Sequence, residues 1–223
     1  VVVSHLERCS EIFRLLASQW KVMETLSPQD FLAFRDRLGT SSGFESWQLR
    51  SIETLLGLKS EQRIGGMDPM EHNRKLHSEG KLSDSVIDNL NRISSGPSLN
   101  DVLMRWLSRT PVNGFSGNEK VMREFVENHL SSMKKHGEEV ISHIVKIGHG
   151  SEDKVRPRIN AGIASARDFL LPNNEVSFAR AGLLFIESYR ELPLLSWPRR
   201  MIDSVVDMEE AMLLFRSHHV RMV

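Results

Sequence analysis

Apolar residues recur at intervals of three and four through nearly the whole chain, and this leaves little room for any fold but a helical one. Leu6, Cys9, Phe13, Leu16, Trp20 and Met23 set the pattern, which predicts an amphipathic helix over about 4–26. Ser27-Pro28-Gln29-Asp30 then supplies an N-cap, a proline at the first helical position and an acid three residues past the cap. A second helix is expected over about 28–38. Gly39 to Gly43 breaks it, and a third helix follows over about 45–56, closed by Gly57. The stretch 59–97 is less sharply patterned, with a helix start at Asp68-Pro69. Ser98 caps a helix over 99–108, a polar helical segment covers about 118–147, and 152–157 reads as a charged linker. The apolar, small-residue-rich 176–190 suits a buried helix with close neighbours. Trp197-Pro198 opens a short helix and 206–223 forms another. No period-two alternation lasts long enough to build a sheet. The expected fold is all-α, an antiparallel helical bundle forming one domain over 1–223. Its polar segment at about 118–150 projects from the body or packs by one stripe.

Composition narrows the function classes. The 29 Lys plus Arg balance the 29 Asp plus Glu among 223 residues, which removes the electrostatic case for nucleic acid or an anionic membrane surface. No apolar run approaches the roughly 20 residues that span a bilayer. Cys9 is the lone cysteine, so an internal disulfide and a multi-cysteine zinc site are both excluded. A reducing cytoplasmic setting is expected.

Two constellations carry chemistry. Phe31 and Arg35 stand one helical turn apart and share a helix face. An aromatic plate beside a planar guanidinium suits an amino acid that carries both a ring and a carboxylate. An exposed ion pair involving Asp36 is the other reading of Arg35. Near the end of the chain, Met212, Phe215, His219 and Met222 fall on one helix face, with His219 its only polar member. A neutral imidazole among such neighbours suits an axial ligand of haem iron, and it suits a plain core histidine too. His218, about 100° around the helix, is expected toward solvent or behind the ligand. The remaining histidines form no HExxH or Cys/His pattern, and the Walker loop, dinucleotide fingerprint and GxSxG elbow are missing.

Taken together, these segments resemble the tryptophan 2,3-dioxygenase family. The resemblance rests on the opening helix through SPQDFLAFRDRL, on SSGFESWQLRSIETLLG, on LMRWLSRTP, on ARAGLLFIESYRELP and on the tail FRSHHVRMV. By position it implies that Arg35 binds the substrate carboxylate and that Phe31 lines the indole pocket. Ser42 and Gly43 belong to the loop on the haem side, Phe215 stands where the family has a tryptophan, and His219 is the axial ligand of haem b. The implied reaction is oxidative cleavage of the indole ring of L-tryptophan by O₂ to N-formylkynurenine, in a homotetramer. The family's distal histidine and its GTGGS loop would lie before Val1 and after Val223, so the chain is expected to lack those flanks. Three departures (Phe215, Glu45 within FES and Leu49 within QLR) and the missing flanks keep alternatives open. One is a related histidine-ligated haem monooxygenase acting on tyrosine or a substituted tryptophan. The other is a helical interaction module with an incomplete site.

Overall fold

The computed structural model describes residues 1–37, 47–57 and 69–222. Among them the chain is all-α, with one isolated bridge between Val112 and Phe115 as its only β-type pairing. The helices are α1 (Val2–Met23), α2 (Pro28–Arg37), α3 (Trp47–Leu56), α4 (Pro69–Ser78) and α5 (Asp84–Ser95), followed by α6 (Leu99–Leu107) and α7 (Glu119–Lys146). The last three are α8 (Glu152–Leu170), α9 (Phe178–Ser188) and α10 (Ser196–Met222). They group into two compact units, one formed by 1–98 with 190–223 and the other by 99–189.

In the first unit α1 lies along α10. Its buried positions are Val3, Leu6, Ser10, Phe13 and Ala17, alternating spacings of three and four that make an apolar seam of the coiled-coil kind. On α10 the buried Met201, Val205, Met208, Met212, Phe215 and His219 continue the same rhythm. The two helices run parallel. Glu7 meets Arg200, Arg14 meets Asp207 and Glu24 meets His218, with sequence separations of 193, 193 and 194. A nearly constant offset is the signature of parallel register; an antiparallel pair would hold the sum of positions constant. The expected antiparallel arrangement therefore does not describe this pair, because the chain returns to the starting end of α1 before α10 begins.

The buried stripe of α1 keeps the expected Leu6 and Phe13 but shifts by one position at two turns. Cys9 is exposed and Leu16 largely so, while Ser10 and Ala17 are buried. Small residues at those turns let the bulky methionines and Phe215 of α10 come close to the α1 backbone. The Ser10 hydroxyl donates to the Leu6 carbonyl at 3.1 Å, so its burial leaves no lost hydrogen bond. α10 is one continuous helix where two were expected. Pro198 lies in its first turn, where a missing N–H costs nothing, and the helix runs unbroken through 206, with an Arg199–Asp203 pair at 3.5 Å along the turn before it.

Local signals held elsewhere in this unit. The Ser27 hydroxyl caps α2 by accepting the Asp30 N–H at 3.2 Å and donating to the Asp30 carboxylate at 2.7 Å. Gly57, at φ 77°, ends α3 in the left-handed conformation that a Cβ disfavours.

The second unit is built on an antiparallel hairpin of α7 and α8. Glu138 pairs with Arg156 at 2.7 Å and Glu127 with Arg167 at 3.0 Å, so positions rise on one helix as they fall on the other. Asn118 caps α7 by accepting the Val121 N–H at 3.2 Å. α7 packs by one stripe of Met122, Val126, Leu130, Gly137 and Ile141. A Cβ at Gly137 would stand 2.7 Å from the Ile159 methyl, so glycine sets how closely α8 can lie.

The charged stretch expected as a linker is the first part of α8. Glu152 and Asp153 stabilise its start through the helix dipole. Pro157 removes one helical bond near that end, while Arg156 ties the same turn to Glu152 and Glu138. α9 is buried as expected, through Ala181, Gly182 and Ile186. A Cβ at Gly182 would overlap the Leu107 carbonyl, which brings α9 against the end of α6.

Candidate haem-ligand site on the α1/α10 seam

The last core position of the seam is His219. It is 3% exposed, and its ring packs in a cluster with two aromatic groups that also touch each other. Trp20 of α1 stacks on it with centroids 4.8 Å apart and planes at 28°, and Phe215, one turn earlier on α10, sits at 6.1 Å and 24°. Phe13, Ala17, Ala211 and Met212 complete the buried cluster, with Leu49, Ile52 and Leu56 of α3 packed on it. Burial favours the uncharged imidazole and lowers the His219 pKa from its ordinary 6.5. The ring is therefore neutral at physiological pH, the state in which an imidazole nitrogen can give a lone pair to a metal.

That donor set fits haem. Among the described residues no three His, Cys, Asp or Glu side chains gather in a way that would hold a bare ion. A single imidazole in an apolar, aromatic setting suits an iron that would bring most of its ligands in its own macrocycle.

Around this histidine the fold adds partners that periodicity does not reveal. His218 is not turned to bulk water: its Nδ1 shares a 2.9 Å hydrogen bond with Glu24, just past the end of α1. Arg216, one turn before His219, meets Glu53 of α3 at 4.0 Å, with only 9% and 1% of the two side chains exposed. Trp20 was visible in the sequence as a core residue of α1. That it covers His219 depends on a contact across the parallel register.

Phe31 and Arg35 both lie on α2 and are half-buried. Phe31 lines an open depression of about 450 Å³ with Met23, Glu24, Leu26, Pro28 and Arg221. Arg35 is one turn further along and is not among the described lining residues. The depression reaches Arg221, two positions past His219, so the Phe31 end of α2 and the end of α10 border one space. Ser42, Gly43 and the side chain of Met222 lie outside the described residues.

A helical protein that buries a neutral imidazole against aromatic rings, with an open pocket lined by a phenyl ring reaching the end of the same helix, has the outline of a histidine-ligated haem protein. The chain belongs to the tryptophan 2,3-dioxygenase family, whose model, described as Tryptophan 2,3-dioxygenase, matches residues 1–223. It is 39% identical to the tryptophan 2,3-dioxygenase of Sorangium cellulosum (strain So ce56), over 97% of this chain and 55% of that protein. It is 34% identical to tryptophan 2,3-dioxygenase 2 of Ralstonia nicotianae, over 99% of this chain and 63% of the relative. A tryptophan 2,3-dioxygenase-like protein of Xanthomonas campestris pv. campestris (strain 8004) is 36% identical over 89% of this chain and 77% of its own length. The chain thus spans 55% and 63% of the first two relatives. No described helix is long and apolar enough to cross a membrane.

Proposed function

We propose that this chain carries the haem-ligand and substrate-anchoring part of an enzyme that cleaves the indole ring of L-tryptophan with O₂, giving N-formylkynurenine. The observation that carries the reading is the buried, neutral His219 held by Trp20 and Phe215, in a chain of this family. In this reading His219 holds haem b through an imidazole nitrogen, and the close packing of the two rings fixes the plane of that imidazole. The haem, when bound, supplies the redox chemistry that lets O₂ react with a closed-shell indole. Both oxygen atoms enter the product as the C2–C3 bond breaks, so no external reductant is consumed.

The remaining residues position the substrate. Phe31 offers an apolar face to the indole, within a depression to which Met23, Leu26 and Pro28 add apolar surface. Arg35 binds the α-carboxylate by a two-pronged, charge-assisted contact, which fixes the ring relative to the reacting centre. The family resemblance assigns Ser42 to the substrate pocket and Gly43 to the haem side of the same loop. We extend the proposal to a cytoplasmic homotetramer. The exposed Ile12, Leu15 and Val22 along α1 support subunit contacts there.

The test is reconstitution of the full-length protein with haem, reduction, and addition of tryptophan and O₂. The expected product is heavier than tryptophan by two oxygen atoms, and a product heavier by one, or none, overturns the reading. Arg35→Ala should raise KM strongly, and Arg35→Lys should restore it only in part.

A further inference from the structure

The ion pair between Glu53 and Arg216 is not needed to explain the site above, yet it is built at a cost. Both side chains are withdrawn from water, Glu53 to 1% and Arg216 to 9% exposure. Taking two charges out of water costs several kcal/mol per ion unless their mutual attraction offsets it. Its placement is informative. Arg216 and His219 stand three residues apart on α10 and so share a helix face. Glu53 projects from α3 on the face that also sends Leu49, Ile52 and Leu56 against the cluster holding Phe215. The pair therefore crosses from α3 to α10 one turn before the imidazole.

We infer that Glu53 is a positioning residue for His219: through Arg216 it fixes the last turns of α10 against α3, and it cancels the guanidinium charge beside the iron ligand. The inference rests on the haem reading. It follows from elementary electrostatics. A guanidinium charge one turn from the ligand, in a poorly screened interior, disfavours the more positive ferric state. Glu53 neutralises that field. If Glu53 is replaced by an uncharged residue, the charge of Arg216 remains and the ferrous state gains. If Arg216 is removed, that positive charge is gone and no such gain can occur. A pair whose charges did not reach the iron would leave the potential unmoved by either loss.

The test is the haem midpoint potential of the full chain in three variants, with the thermal midpoint of each haem-free chain measured beside it. Glu53→Gln should raise the potential, Arg216→Met should not raise it, and the double variant should return close to the parent value. An unshifted potential in Glu53→Gln, or a rise in Arg216→Met as well, overturns the inference. If Glu53→Gln gives no folded protein, Glu53→Asp keeps the charge but draws it back from Arg216. A smaller upward shift then supports the role and an unshifted potential overturns it. His219→Ala separates the two layers of the argument. A Soret band that survives it removes the haem reading and this inference together. A band that vanishes, with potentials unmoved by the Glu53 variants, overturns only the role of the pair.

Discussion

The α1/α10 pair and the α7/α8 hairpin are both long helices packed along their lengths, but they are held together differently. The α7/α8 partners are joined by a short turn, run antiparallel and carry Arg–Glu pairs along the edge of their seam. Their separation is set by Gly137 against Ile159. The α1/α10 partners run parallel with most of the chain between them. Their seam is filled by methionines, phenylalanines and Trp20, with small Ser10 and Ala17 opposite. The first arrangement follows from chain connectivity. The second exists because distant segments present matched heptad stripes, and it is the one that carries the candidate site. A parallel pair brings the end of one helix beside the end of the other, so Trp20 and Glu24 arrive next to His218 and His219.

If that contrast is right, cutting the apolar filling should harm the parallel pair most. Phe215→Ala is expected to cost about 3–5 kcal/mol and to weaken haem retention, read by urea denaturation and by the Soret band. A loss below about 1 kcal/mol would mean that the seam is not what joins α1 to α10. Gly137→Val tests the hairpin by overfilling instead. A loss of roughly 1–3 kcal/mol is expected, with the Soret band unchanged, and an unaltered denaturation midpoint would show that α8 has room to give.

The third test uses protons. Burial lowers the His219 pKa in the folded chain, so the unfolded chain binds the proton more readily. The stabilising contribution is complete above the ordinary 6.5 and is lost as pH falls through the lower folded value. Thermal midpoints followed from neutral pH downward should drop, and His219→Gln should flatten the drop. An identical profile in that variant would assign the acid sensitivity to other groups. The smallest effect belongs to the exposed edge of the hairpin. Arg167→Gln, which removes the two bonds to Glu127 at 3.0 and 3.1 Å, should cost no more than about 1 kcal/mol. That difference should vanish in high salt, and persistence there would point to packing by the arginine stem.

Much of the local structure was legible in the sequence. The Ser27 box announced the start of α2, and the Gly57 stop was announced by its glycine, because capping depends on residues within one turn. The continuity of α10 was missed because Trp197-Pro198 looks like an independent start. The charged start of α8 was missed because its stabilising partner, Glu138, lies on the preceding helix. On α1 two stripes competed, one through Cys9 and Leu16 and one through Ser10 and Ala17. Hydrophobicity favoured the first, and the fold uses the second because α10 needs space more than it needs another large side chain.

For the site, the sequence by itself determined that His219 lies on an apolar helix face beside Met212 and Phe215, and that Phe31 and Arg35 share a turn. Those relations span only a few residues and follow from helix geometry alone. The tertiary structure decided that Trp20 covers the imidazole, that Glu24 holds His218 and that Glu53 meets Arg216. Each of these is a contact between distant parts of the chain, across 199, 194 and 163 positions, and periodicity within one helix carries no record of which helix lies beside it or in which direction it runs.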